Sequence, residues 1–231
     1  YRLSRAVEPV MYSIELAPDL QRFTFEGSET IILRAREPFQ SLELHALDLQ
    51  VKRAEISLRG GEAGERREAR SIRYNAKKET VILDFGGTVD RESVEGLHLE
   101  FEGTLNDQMH GFYRTSYQVK GAKRWGAATQ FEATDARRAF PCWDEPDRKA
   151  EFQVTLKVPE RLAALSNMPV VRESVIPGVG LKRIVYEKTP RMSTYLLAWV
   201  IAELESVQGK DRDGVPIRVW TTIGKKAQGR F

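Results

Sequence analysis

The sequence of 231 residues holds one cysteine, three histidines and no Asn-x-Ser/Thr acceptor. A lone cysteine, Cys142, excludes an internal disulfide and favours a reducing compartment, so a cytoplasmic location is the expectation. The chain starts at Tyr1 rather than at a methionine, which leaves a removed leader open. The longest apolar run, Tyr195 to Ala202, falls far short of the roughly 20 residues of a spanning helix, so no membrane partner is expected. None of His45, His98 and His110 has a second histidine four residues away, which excludes the helical zinc pair, and Cys142 has no second thiol to share a metal. A Gly-rich phosphate loop ending in Lys and a Gly-x-Ser-x-Gly elbow are both missing. Taken by itself, the chain lacks the groups that hydrolysis requires.

Charge of one sign is also scarce. The 36 basic residues nearly balance 33 acidic ones, and the longest basic runs are pairs such as Lys77-Lys78. A nucleic-acid binder clusters its cations more strongly, so no nucleic-acid partner is expected.

What is present is alternation. Tyr12, Ile14 and Leu16 alternate with polar neighbours, as do Leu42 and Leu44, then Val81, Leu83 and Phe85, then Leu97, Leu99 and Phe101. A period of two puts one face of a strand on a core and the other in water. Turn signals such as Pro18-Asp19, Gly60-Gly61, Asn106-Asp107 and Asp213-Gly214 punctuate these runs. The expected fold class is all-β, an antiparallel multi-stranded sandwich or saddle. One short helix is expected over 160–165, behind Pro159, and the apolar-poor stretch 59–70 reads as a mobile loop between strands. His45 and His98 read as surface or rim side chains, and Cys142, between Pro141 and Trp143, as a buried inert thiol.

From Trp125 to Trp143 the alternation fails and Arg, Asp, Glu and aromatic residues crowd together, as they do in loops carried by a rigid scaffold. Here Gln130 and Glu132 flank Phe131. On a strand the two polar side chains share a face, where a carboxylate beside an amide can receive a protonated amine. The same pattern also describes an ordinary solvated strand face.

The stretch Thr129-Gln-Phe-Glu-Ala-Thr-Asp-Ala-Arg-Arg-Ala-Phe-Pro-Cys-Trp-Asp-Glu-Pro146 resembles the N-terminal-domain signature of the M1 family of zinc aminopeptidases. Gly103-Thr-Leu105 with Gly111-Phe-Tyr-Arg114, then Ala164-Leu-Ser-Asn-Met-Pro169, and Thr189-Pro-Arg-Met-Ser-Thr-Tyr-Leu-Leu-Ala198 are similar to the family's flanking landmarks, in order. The resemblance implies a β-rich, saddle-shaped first domain over 1–208, with 209–231 the start of a catalytic domain. It implies that Glu132 holds the substrate's α-amino group and that Gln130 lines the pocket for the first side chain. The implied partners are peptide N-termini and the catalytic domain of the same protein, and the implied cofactor is zinc, bound by His-Glu-x-x-His and a third Glu outside this chain. Asp135, Arg137, Arg138, Asp144 and Glu145 read as scaffold: ion pairs and caps that hold the loop. Acidic-substrate members carry Asp where this chain has Gln130, so calcium is not expected. The epoxide-hydrolysing branch usually has glutamine at the position of Glu132, which sets this chain apart from it.

Two functions from different classes follow: the amine-anchoring part of an aminopeptidase, or a non-enzymatic β-sandwich interaction module related to the family. On the first, the isolated chain is inactive, and the run Tyr195–Ala202 with the loop Phe140–Trp143 forms an exposed patch that drives self-association.

Overall fold

The structure is a computed structural model, which describes residues 2–59 and 65–229. Its elements are strands and three short 3₁₀ turns, with no α-helix among the described residues. The largest sheet has eight strands. In spatial order they are β13 (Val170–Ile176), β14 (Leu181–Tyr186), β11 (Glu151–Pro159), β1 (Val7–Asp19), β2 (Thr24–Ala35), β8 (Val94–Thr104), β4 (Leu49–Leu58) and β5 (Arg66–Glu68). A three-stranded sheet runs β3 (Phe39–His45), β7 (Thr80–Val89), β6 (Ser71–Asn75). A four-stranded sheet runs β12 (Ala163–Ser166), β15 (Trp199–Ala202), β10 (Ala122–Gln130), β9 (Gly111–Val119), and a ribbon joins β16 (Leu204–Lys210) to β17 (Pro216–Thr222).

The alternation decides which side chains go inside. Tyr12, Ile14 and Leu16 of β1, Phe25, Ile31 and Leu33 of β2, and Leu97, Leu99 and Phe101 of β8 are buried. They join residues from the three- and four-stranded sheets in one contiguous core, to which β16 and β17 contribute nothing. Two glycines are required by this packing. Gly27 pairs across from Phe101 and Gly103 from Phe25; a Cβ at either glycine would lie 2.4 Å from the facing ring.

The all-β class agrees with the sequence, with one exception to its antiparallel pairing: β1 and β11 run parallel, Tyr12 beside Phe152. A parallel neighbour needs a long crossover, and the intervening strands β2–β10 supply it. Two local expectations are corrected. Residues 160–165 form a turn and then β12, not a helix, because Ala164 and Leu165 pair with Ile201 and Val200 of β15. The stretch 59–70 contains β5, which pairs with β4 at Glu55–Ser57, while the Gly60-Gly61 turn lies outside the described residues.

Candidate functional site

The signature segment begins where β10 ends. Gln130, the last residue of β10, pairs with Gly111 of β9. Phe131 follows and turns inward, fully buried, between the rings of Trp199 at 5.3 Å and Phe140 at 6.1 Å, both edge-on. The aromatic contacts continue from Trp199 to Phe112 and from Phe140 to Tyr12, which stacks on Phe152 at 5.0 Å. Gln130 and Glu132, on either side of Phe131, are exposed. The chain then doubles back through a turn in which the Asp135 N–H donates to the Phe131 carbonyl at 2.9 Å, and enters the 3₁₀ turn Ala136–Arg138. Gly111 lets that turn approach: it has φ +66° and a Cβ there would lie 2.7 Å from the Arg138 side chain.

Behind the turn lies a buried ionic cluster. Arg137 donates from Nε to Asp144 Oδ2 at 3.0 Å, from its backbone N–H to the same oxygen at 3.3 Å, and from Nη1 to Glu79 at 2.8 Å. The other Asp144 oxygen accepts from the Thr194 hydroxyl at 2.7 Å. Burial on its own lowers the Arg137 pKa, but the hydrogen bond and charge of Asp144 outweigh it and hold the guanidinium above its ordinary value. Arg138 pairs with Asp135 and Asp48. Glu145 accepts the Leu3 N–H at 2.6 Å and faces Arg148, which also donates to the Ser4 carbonyl. Asp147 pairs with Arg2 and Arg5.

Scaffold roles thus account for Asp135, Arg137, Arg138, Asp144 and Glu145, though over longer sequence distances than a turn-starting cap implies. Of the five acids from Glu132 to Asp147, four are engaged in ion pairs or hydrogen bonds. Among the described residues Glu132 has no such partner, and its side chain faces solvent.

The histidines divide. His98 sits on the outer face of β8, its Nδ1 3.2 Å from the Thr30 hydroxyl. His45 is not a rim residue as expected from sequence: it is buried, its Nδ1 accepts the Asp144 N–H at 3.2 Å, and its backbone bridges Cys142. Burial first, and the Arg137 charge next, push its pKa down to about 4. The correction has a simple cause: β3 ends against the signature segment, so the polar face of its last residue is covered. Cys142 is fully buried, and burial pushes its thiol pKa well up, which leaves it protonated and inert.

The expected apolar patch is corrected in half. Phe140, Cys142 and Trp143 are in the core, as are Leu197, Trp199 and Ile201; Leu196 and Val200 are the large exposed side chains of the run. Sequence reasoning also missed Glu29, a core carboxyl whose two oxygens have no hydrogen-bond partner. Its position in the alternation Phe25, Gly27, Glu29, Ile31, Leu33 was the available signal. Among the described residues no group of three or more His, Cys, Asp or Glu is arranged to hold a metal ion such as zinc. No helix among the described residues is long and apolar enough to cross a membrane.

Fold and site together define an all-β domain whose signature segment leaves one of its five carboxylates, Glu132, unpaired on the turn that follows β10. Residues 8–196 match the Peptidase M1 N-terminal domain, and the chain belongs to that family. Over its full length it is 43% identical to Aminopeptidase M1-B of Oryza sativa subsp. japonica, and 38% identical to the puromycin-sensitive aminopeptidase of Caenorhabditis elegans. Over 99% of its length it is 39% identical to the alanine/arginine aminopeptidase of Saccharomyces cerevisiae. The chain spans 25%, 24% and 26% of those three proteins respectively, about a quarter of each.

Proposed function

We propose that this chain is the amine-anchoring domain of a zinc aminopeptidase that removes N-terminal residues from peptides. Glu132 accepts the substrate's α-ammonium, and Gln130 shapes the pocket for the first side chain. The observation that carries the reading is the contrast within one segment: every other acid from Glu132 to Asp147 is committed to a partner, while Glu132 is held out, unpaired, on a fixed turn. An exopeptidase must count from the chain end, and a fixed carboxylate does so because an internal peptide bond offers no ammonium to pair with. The zinc ligands belong to a catalytic domain beyond this chain, and residues 209–231 lead into it. The absence of β16 and β17 from the core supports that division, although the ribbon itself pairs residues on both sides of position 208, Gln208 with Arg218. A cytoplasmic setting is supported by the single, buried thiol.

The test is Glu132→Gln in the full-length protein, with an aminoacyl chromogen as substrate. Loss of one charge-assisted contact in a closed site is worth about 2–4 kcal/mol, so kcat/KM is expected to fall by roughly 10²-fold or more. Unchanged kcat/KM in a folded variant overturns the assignment. A full-length protein with no aminopeptidase activity at all favours the interaction-module reading.

A further inference from the structure

We infer that the buried cluster of Arg137, Asp144 and Thr194 positions the Glu132 carboxylate, by closing a ring of contacts that begins and ends on the strand carrying Gln130. The inference rests on the reading of Glu132 as the amine anchor.

The ring can be followed residue by residue. β10 ends at Gln130 and passes through buried Phe131 into the turn that presents Glu132. Three residues beyond, the Asp135 N–H is tied back to the Phe131 carbonyl, so the turn cannot shift independently of the 3₁₀ turn that follows. Arg137 and Ala136 are the buried residues of that 3₁₀ turn, and Arg137 grips Asp144 through its backbone N–H, Nε and a third contact from Nη2 to the Asp144 carbonyl at 3.3 Å. Asp144 is held in turn by the Thr194 hydroxyl on one side, and its backbone N–H by His45 on the other. Thr194 opens the short turn Thr194–Leu196 that leads into β15, and β15 pairs with β10, Ile201 beside Ala127. The circuit therefore returns to its starting strand. Glu79 braces Arg137 from outside.

A buried ion pair is a poor source of net stability, because desolvation offsets most of its attraction. Apolar side chains of similar size would fill the same space. What the polar ring adds is direction: a guanidinium that donates to both the carboxylate and the backbone carbonyl of Asp144, and a carboxylate that accepts at both oxygens, fix orientation as packed hydrocarbon does not. Recognition at Glu132 is the property of this segment that needs such direction.

The experiment compares binding of a competitive inhibitor bearing a free α-amine with that of its desamino analogue, in the full-length protein. Wild type is expected to prefer the amine strongly, and Glu132→Gln to abolish that preference; if Glu132→Gln retains it, the underlying reading fails, whatever the ring does. Given that result, Thr194→Val and Asp144→Asn are expected to cut the preference by about tenfold, the scale of a sub-ångström misplacement, and to raise KM more than they lower kcat. Thr194→Ser, which keeps the hydroxyl, is expected to behave as wild type. Folded Thr194→Val and Asp144→Asn proteins with full amine preference overturn the inference. If Asp144→Asn does not fold, the Thr194→Val and Thr194→Ser pair decides.

Discussion

His45 and Glu29 are two buried groups whose protonation links pH to stability on the acid side of neutrality, and they act in opposite directions. His45 titrates near 6.5 when unfolded and at about 4 when folded, because burial disfavours the imidazolium and Arg137 repels it. Between those values the unfolded chain binds the proton and the folded one does not. Stability is therefore lost as pH falls from about 6.5 towards about 4. His45→Asn, which keeps an acceptor for the Asp144 N–H but cannot titrate, is expected to show a shallower decline over that window in urea midpoints; an identical decline contradicts the assignment. Glu29 shows the reverse: burial without a partner raises its carboxyl pKa well above the ordinary value. As pH rises past the usual carboxylate range, the unfolded chain releases a proton that the folded one keeps, and stability falls. Glu29→Gln is expected to be more stable than wild type at pH 7, by a margin that closes towards pH 4. A constant margin contradicts the cause given. The burial of Glu29 follows the alternation of its strand, whereas that of His45 is not visible locally in the sequence. Alternation assigned Leu44 to the core, but covering His45 takes the distant segment Phe140–Asp144.

At the scale of elements, the strands were legible because a period of two survives wherever one face is buried and the other wet, as in β1 and β8. Over 160–165, Glu, Arg, Leu and Ala after a proline favour a helix, whereas the edge of β15 recruits Ala163–Ser166 as β12; long-range pairing overrides weak local preference. The parallel pairing of β1 with β11 was equally illegible, since period fixes a strand's faces but not its neighbour. The glycine–aromatic pairs are the most testable elements of the large sheet. Gly103→Ala puts a methyl 2.4 Å from the Phe25 ring and 2.8 Å from Leu49. Overpacking of this kind costs about 1–3 kcal/mol, so the urea midpoint is expected to fall; an unchanged midpoint would mean that Phe25 swings aside freely. At the candidate site, Gln130 and Glu132 were legible as polar residues around an aromatic one. The reason Glu132 stands out was not, because the partners that occupy its acidic neighbours lie as far away as Arg5 and Thr194.

On the scale of the whole molecule, one core unites three sheets and ends before the β16–β17 ribbon, and the chain spans a quarter of relatives that are themselves aminopeptidases. On the proposed function, such a unit positions a substrate without transforming it. The isolated chain is therefore expected to bind no stoichiometric zinc and to hydrolyse no aminoacyl chromogen; turnover with one bound metal per chain would refute that. On the proposed function, Glu132 reads positive charge at a peptide's first residue. The most direct measurement of this is the rate ratio between a free-amine peptide and its N-acetylated twin, taken in the full-length protein with and without Glu132→Gln. The expected ratio is large and collapses in the variant through slower cleavage of the free-amine peptide. A folded Glu132→Gln protein that still discriminates as wild type does would contradict it.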